Sequence, residues 1–342
     1  MKHTHYDAAE QKALLNSSIP SAIMASPGTH FDSAEDASVF FARELDHVKS
    51  KSYDKQYPQF TALSLFPQTS EADPGAETIT YYTYDKTGLA KIISNYATDL
   101  PRADVTGKPS FAQIKSMGAS YGYSAQEMRA SRLAGKSLDS RKGESARFQI
   151  DNLNNKIAWA GDAESGLMGV LSEGQNVPMF AILPGASGKT SWLEKTADEI
   201  LDDINGMQKQ VDAATMNVER PDTLCVPSDV YMHISTKRIP DTTMTVKAFI
   251  LENAPYLKDI VPAPELNANA VGTNPYAEAV GGQGVAFLFH NDPEKMSLEN
   301  PMAFYQYPLQ AKGLEIVVPC EARTAGVIFY YPLSALIAVG VS

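Results

Sequence analysis

The 342-residue sequence predicts an α+β fold in which long helices lie beside mostly antiparallel strands. Two observations lead to this prediction. Residues 139–160 and 196–211 carry apolar side chains at every third or fourth position, as amphipathic helices do. Residues 76–123 and the C-terminal third contain runs rich in β-branched and aromatic residues, as strands do. The length predicts one large elaborated domain or two connected ones.

Residues 1–50 are predicted to form an N-terminal arm and a short helix. The first 32 residues have little periodicity and many small or polar side chains. Phe41, Leu45 and Val48 then form the apolar stripe of a short helix. The arm therefore needs another surface to pack against.

Residues 51–75 contain three prolines and predict an irregular extended connection. Residues 76–123 form a strand-rich excursion with two extended stretches, "ETITYYTYDKTGLAKIISNY" and "FAQIKSMGASYGYS". A turn is expected near residues 85–88, and the polar stretch "TDLPRADVTGKPS" separates the two. Because an isolated two-stranded ribbon buries little apolar surface, the excursion also needs a surface to lie on.

Two capping boxes predict helix starts, one formed by Ser124 and Glu127 and the other by Thr196 and Glu199. Between them, Asp139 can cap a longer helix. The apolar face of this longer helix comprises Ala146, Ile150, Leu153 and Ile157.

Gly161 is placed to end the long helix. Shorter helices are predicted near residues 229–236 and 246–254. The C-terminal third is mostly strand, in the runs "GVAFLFH", "MAFYQYP", "LEIVVPCEAR", "GVIFYYP" and "ALIAVGV".

The Gly-Lys-Thr tripeptide at residues 188–190 raises the question of a phosphate-binding loop. Such a loop requires a first glycine at the position of Leu183, and the available Gly185 makes the loop two residues too short. The next helix is expected to begin at the Thr196 cap, about two turns too late for Lys189 to lie at its end. An exposed Gly/Ser loop explains the tripeptide better than a nucleotide site.

The composition and the scattered reactive residues predict no enzyme, cofactor or metal site. The net charge of −11 argues against a surface that grips nucleic acid throughout. Cys225 and Cys320 lie in apolar strand-like runs and are expected to be buried thiols. The segment "HNDPEK" at residues 290–295 has the composition of a turn, and the carboxylates of residues 198–203 are expected to form a solvated helix face. With no apolar signal core and no membrane-length run, the chain is expected to fold in a reducing cytoplasm.

The order of elements and several stretches resemble the major capsid proteins of tailed bacteriophages with the Hong Kong 97-type fold. The most informative stretches are "KIAWAGDAESGLMGVLSEGQNVP", "PDTLCVPSDVYMHIS" and "GLEIVVPCEARTAGVIFYYPLSALIAVGV". Two others, "KIISNYATDLPRADVTGK" and "SYGYSAQEMRASRLAGKSLDSRK", are similar to one subfamily of these proteins. The resemblance spans roughly residues 35–341.

The resemblance implies an assignment for each part of the chain. Residues 76–123 would be an extended loop that reaches over a neighbouring subunit. Residues 124–189 and 286–342 would form a peripheral domain with the long helix as its spine, and the C-terminal strands would complete its sheet. Residues 190–285 would form an axial domain around the five-fold and six-fold centres.

The implied function is that of a major capsid protein, which assembles as pentamers and hexamers into an icosahedral shell around packaged double-stranded DNA. Its location would be the virion, and the host cytoplasm during assembly. A portal, a separate scaffold protein and a decoration protein would be its partners, with no membrane. The first alternative is an encapsulin-like compartment with enzyme cargo, and the second is a nucleotide-dependent enzyme. Some relatives cross-link through a loop lysine, but that role is assigned to none of Lys86, Lys91, Lys108 and Lys115.

Two groups of residues are candidates for contacts in such a shell. The candidates for inter-subunit contact are Tyr81, Tyr84, Lys86, Arg102, Asp104 and Lys108. The candidates for facing the packaged DNA are Arg129, Arg132, Lys136, Arg141, Lys142 and Arg147, which form a local basic excess. For the basic group, a solvated helix face is the alternative.

Overall fold

The computed structural model describes residues 56–92, 100–134, 141–240, 242–278 and 282–342. The chain divides into two compact units, Met1–Pro58 and Gln59–Ser342. Every element given below lies in the second unit. The predicted arm and short helix of residues 1–50 lie outside the described residues, as do Lys136 and the predicted helix cap at Asp139.

The described residues form six α-helices and fourteen strands. The helices are α1 Ala62–Leu65, α2 Ala125–Ala134, α3 Arg141–Ala160, α4 Ala197–Thr215, α5 Ser228–Thr236 and α6 Val246–Asn253. The first seven strands are β1 Gln68–Thr69, β2 Thr78–Gly88, β3 Ala103–Gln113, β4 Lys115–Ser124, β5 Met179–Ala181, β6 Thr223–Val226 and β7 Asp259–Pro262. The others are β8 Val285–Phe289, β9 Met296–Glu299, β10 Met302–Gln306, β11 Gln310–Lys312, β12 Glu315–Thr324, β13 Gly326–Phe329 and β14 Ala335–Val339.

The stretch predicted as an irregular connection contributes to the core. Helix α1 and strand β1 lie within it, and Ala62 and Phe66 are buried. The Phe66 ring packs edge-on against Trp159, with the two centroids 4.9 Å apart. The prediction was wrong here because the prolines flank the short elements and do not interrupt them.

Strands β2 and β3 pair only with each other, in an antiparallel ribbon that runs from Thr78 opposite Gln113 to Gly88 opposite Ala103. The turn predicted near residues 85–88 was wrong, because the ladder continues to Gly88. Strand β3 also lies in the stretch predicted as a polar connection. Backbone hydrogen bonds and the Thr83 and Thr87 hydroxyls hold this pairing, and the side chains of β3 are mostly exposed, so no apolar pattern marked the strand.

Helix α2 begins, and helix α3 ends, as predicted. The Ser124 Oγ accepts from the Glu127 N–H at 3.1 Å, and Glu127 accepts from the Ser124 N–H at 3.0 Å, which confirms the capping box. Gly161, at φ +77°, follows the last residue of α3. The predicted apolar face of α3 is confirmed at Ile150 but wrong at Leu153, which is 43% exposed.

A four-stranded sheet lies under α3. The full length of β12 pairs with β4, while β10 and β11 pair along its other edge. The buried side chains between this sheet and the helix region are Met117, Ala146, Ile150, Ile157, Leu167, Val318, Cys320 and Ala322. Because β4 belongs to this sheet, β2 and β3 are the described strands of the predicted extended loop that lie outside the sheets of the body.

A mixed five-stranded sheet has the order β5-β14-β8-β6-β7. One face packs against α4, α5 and α6 through side chains such as Leu224, Leu288 and Leu336. The other face packs against Trp159 and against a small sheet of β1, β9 and β13 through side chains such as Phe287. The sheet is therefore buried on both faces.

The family resemblance implied that the C-terminal strands complete one sheet beside the long helix, and this expectation was wrong. They divide among all three sheets of the body. Strand β8 is buried at every position, which suits a sheet covered on both faces. Strand β12 instead alternates between buried and partly exposed positions, which suits a sheet covered on one face.

Candidate functional site

The β2–β3 ribbon is the part of the described chain with the least core of its own. Beyond its base, almost every side chain is exposed. Exposed apolar side chains on the ribbon include Tyr82, Tyr84, Val105 and Phe111. A two-stranded ribbon is marginal in water without a surface to cover such side chains.

The six ribbon candidates differ in their surroundings. Tyr81 packs edge-on against Tyr330 of its own body, with the centroids 5.2 Å apart. Tyr84 is exposed, and its ring lies beside the backbone of Gly107 on the paired strand.

All four charged candidates are exposed: Lys86, Arg102, Asp104 and Lys108. Lys108 pairs with Thr83, between the two tyrosine candidates, and the other three lie farther along the ribbon. Asp104 accepts a hydrogen bond from the backbone N–H of Val105. The structure does not join the charged candidates into ion pairs with one another. Their side chains are thus available for contacts outside the subunit.

The basic candidates do not form one cluster. Arg129, Arg132 and Arg141 are exposed. The Lys142 ammonium donates to the Gly122 carbonyl oxygen at 2.9 Å and forms an ion pair with Glu127 at 3.1 Å.

Lys142 also lies over the Tyr123 ring, 4.7 Å from its centroid. Arg147 pairs with Asp151 at 3.6 Å, one helical turn further along α3. Because Lys142 and Arg147 are engaged within the subunit, the basic excess available to a partner is smaller than the sequence indicates.

The loop that contains the Gly-Lys-Thr tripeptide closes on itself. The Gly185 N–H donates to the Lys189 carbonyl at 2.9 Å, and the Ala186 N–H donates to a Glu199 carboxylate oxygen at 2.7 Å. Lys189 forms an ion pair with Glu194 at 2.5 Å. A carboxylate therefore takes the place that a phosphate would need, and the lysine already has a partner.

A buried ion pair next to this loop was not predicted. Lys195 and Asp203 are both buried, with their charged atoms 2.5 Å apart. The Lys195 ammonium also donates to the Leu183 carbonyl at 2.6 Å, and the Trp192 indole N–H donates to Asp203 at 2.9 Å. The prediction of a solvated face was wrong at Asp203, because Trp192 and Lys195 fold back over the first turns of α4.

The "HNDPEK" segment is a turn, as predicted, and it borders a second polar group. Asp222 is largely buried and accepts hydrogen bonds from the Lys258 ammonium at 2.8 Å and from the Asn291 N–H and the Thr223 hydroxyl at 3.1 Å. Burial raises the pKa of Asp222, but these hydrogen bonds outweigh it and hold the pKa below the ordinary value. The role of this group is to fasten the turn to the body.

Both cysteines are buried free thiols, as expected, and burial raises the pKa of each. Within the described ranges, no group of three or more histidine, cysteine, aspartate or glutamate side chains is arranged to hold a metal ion. Among the helices of those same ranges, none has the length and apolarity needed to cross a membrane.

The solved structures most like this chain include several capsids. The capsid protein of Myoviridae phage XM1 matches with a TM-score of 0.71 and 16% identity, over 89% of this chain and 100% of that one. The capsid of a native GTA particle matches with a TM-score of 0.60 and 9% identity, over 92% and 100% of the two chains. A structure from Mycobacterium phage Ogopogo matches with a TM-score of 0.56 and 12% identity, over 88% and 99%. At these identities the likeness concerns the fold, which is of the Hong Kong 97 type.

No curated protein matches the sequence. The profile of the family described as "Major capsid protein" matches residues 88–341, about three quarters of the chain. That match includes β3, the long helix α3 and every strand of the three body sheets except β1. The chain therefore belongs to the major capsid protein family, and its role is structural.

Proposed function

We propose that the chain assembles as pentamers and hexamers into an icosahedral shell that encloses packaged double-stranded DNA in a virion. The observation that carries this proposal is the ribbon of β2 and β3, which presents exposed apolar side chains far from any core of its own subunit. A closed shell made of copies of one chain needs large contacts between them. The ribbon supplies such a contact if it lies on a neighbouring copy.

The parts of the body take different positions in this proposal. The ribbon region within residues 76–123 bridges copies, and residues 190–285 surround the five-fold and six-fold centres. Residues 124–189 and 286–342 form the periphery, except for β5, β8 and β14, which share a sheet with β6 and β7. We assign these three strands to the axial part, because separating them would split one hydrogen-bonded sheet.

The basic residues of α2 and the start of α3 face the interior in this proposal. Arg129, Arg132 and Arg141 are exposed, and exposed arginine side chains can offset the phosphate charge of DNA without reading its sequence. A separate scaffold protein, a portal and a decoration protein complete the assembly, which takes place in the host cytoplasm.

Co-expression of the chain with its scaffold protein, followed by sedimentation and electron microscopy, tests the shell. We expect closed particles with five-fold vertices, and a compact monomer or dimer under all conditions would contradict the proposal. Ultraviolet absorbance and nuclease treatment of particles from infected cells then test the content. Double-stranded DNA supports the virion role, whereas a protein cargo without DNA would indicate an encapsulin-like compartment.

A further inference from the structure

A cavity of about 680 Å³ opens where the ribbon joins the body. Strand β1, the base of β2, the turn before β9 and the residue after β13 form its walls. We call it the acidic cavity, and the residues that define it are Glu71, Ile79, Tyr81, Glu294, Glu299 and Tyr330.

Glu299 is part of this lining and is only 4% exposed. Its Oε1 atom accepts hydrogen bonds from the Ser297 hydroxyl at 2.9 Å, the Tyr330 hydroxyl at 3.2 Å and the Thr69 hydroxyl. Its Oε2 atom is buried and has no hydrogen-bond partner. A buried carboxylate oxygen left without a partner is costly, so this oxygen is a place where a positively charged donor would be stabilising.

The negative charge of the cavity is not balanced by the described residues. No lysine, arginine or histidine is among the described side chains that line it, and Glu71, Glu294 and Glu299 form no ion pair within the described ranges. Burial raises the pKa of the Tyr330 phenol, and the charges of Glu299 and Glu71 add to that rise. Among the described residues, the lining therefore carries three carboxylates and no cationic side chain.

The shape and lining of the cavity favour an organic cation over a metal ion. Within the described part of the chain, no group of three or more histidine, cysteine, aspartate or glutamate side chains is arranged to hold a metal ion. Ile79 and the rings of Tyr81 and Tyr330 offer apolar and aromatic surface beside the carboxylates. The two rings meet edge to face at 89°, which leaves a ring face for contact with a cation.

We propose that the acidic cavity binds an alkylammonium group, with the ammonium at Glu299 and the rim carboxylates and the alkyl stem along Ile79 and Tyr81. The group has two possible sources with the same chemistry, a free organic amine and a lysine side chain of a second copy of the chain. Binding to the unassembled subunit does not depend on the proposed shell function.

The experiment titrates unassembled subunit with 1,5-diaminopentane by isothermal calorimetry, at an ionic strength of about 0.15 M to screen non-specific attraction. The test variant is Glu71→Gln with Glu294→Gln, because both side chains are exposed at the rim and should not be needed for folding. The matched control is Glu252→Gln, which removes an exposed carboxylate on α6, away from the cavity lining. We expect one saturable site per chain, weakened about tenfold in the test variant and unchanged in the control.

The two sources are separated by repeating the titration on assembled shells. Binding that persists in shells supports a free amine. Binding that is lost in shells, together with shells of the test variant that dissociate at lower denaturant concentration, supports a lysine from a second copy. The proposal is overturned if the variant shells are as stable as wild-type shells and one of two binding results is also found. Either the subunit shows no saturable site, or the test variant binds as tightly as the wild type.

Discussion

Shortening the ribbon tests whether it joins subunits. The change replaces residues 82–109 by an Asn-Gly turn, so that this turn joins Tyr81 to Ser110, the residue paired with it in the ribbon. Tyr81 is kept because its ring packs against the body. The three sheets of the body and the base of the ribbon remain, so the subunit is expected to fold.

The size of the effect follows from the exposure of the removed side chains. Tyr82, Tyr84 and Val105 are 62%, 71% and 57% exposed, so they contribute little to the stability of their own subunit. Full burial of an exposed side chain contributes about 1.5–3 kcal/mol, so burial of the exposed part of each of these contributes about 1–2 kcal/mol. Three of them together contribute about 3–6 kcal/mol to each contact between copies.

The shortened chain is therefore expected to unfold in urea within about 1 kcal/mol of the wild type and to form no stable closed shells. Circular dichroism follows the folding, and sedimentation with electron microscopy follows the assembly. As a control, Lys86→Gln with Lys108→Gln removes two exposed charges worth about 0–1 kcal/mol each, and its shells should still close. Shells of the shortened chain with normal size and heat stability would refute the reasoning.

Three further predictions concern the body. Lys195→Met should lower the free energy of unfolding by about 3–5 kcal/mol in urea denaturation, because it leaves the buried charge of Asp203 without a partner. Adding Asp203→Leu should recover most of the loss. A single variant within about 1 kcal/mol of wild type would count against this. Gly326→Ala should lower the free energy of unfolding by about 3 kcal/mol or more, because φ is +72° there and the new Cβ meets a backbone oxygen. Gly313→Ala should lower it by about 1–2 kcal/mol, because φ is +63° but the new Cβ lies in open space. Equal losses would contradict the packing argument. Asp222→Asn should destabilise the protein at pH 7 but not in acid. The lowered pKa of Asp222 in the folded state gives stability that is complete above the ordinary value of 3.8 and is lost as the pH falls through the folded value. A loss of stability that stays constant with pH would disprove this.

The sequence predicted the elements whose signals are local. The capping boxes at Ser124 and Thr196 are present in the structure, because a hydroxyl and a carboxylate three residues apart satisfy the same backbone groups in any context. The buried strands β8 and β14 were also predicted, since continuous apolar runs have few other places to lie.

The features that the sequence did not predict depend on contacts between distant residues. Strand β3 is polar and glycine-containing, and only its partner β2 makes it a strand. In the sequence, Asp203 belongs to an acidic run that is typical of an exposed helix face. In the structure, Lys195 and Trp192 cover it. The sheet to which each C-terminal strand belongs is set by which neighbour covers its second face, and periodicity along one strand carries no such information.

The acidic cavity was missed for a related reason. Glu71, Glu294 and Glu299 are far apart in the sequence, and none of them lies in a recognisable motif. The fold brings them together because β1 pairs with β9 and because the base of the ribbon closes over both. Only the burial of Glu299 and its unpartnered oxygen distinguish the site from an ordinary exposed acidic patch.

The charges and the apolar side chains of the ribbon have different consequences for assembly. An exposed ion pair contributes at most about 1 kcal/mol, whereas each buried aromatic or aliphatic side chain contributes about 1.5–3 kcal/mol. Burial of Tyr82, Tyr84 and Val105 therefore sets the strength of the proposed contact. In the proposed contact, we expect Lys86, Arg102 and Lys108 to act mainly on which registers are allowed, because placing like charges together costs more than a correct ion pair gains. A ribbon that keeps its apolar side chains but reverses these charges should then still associate, yet close into shells of irregular size.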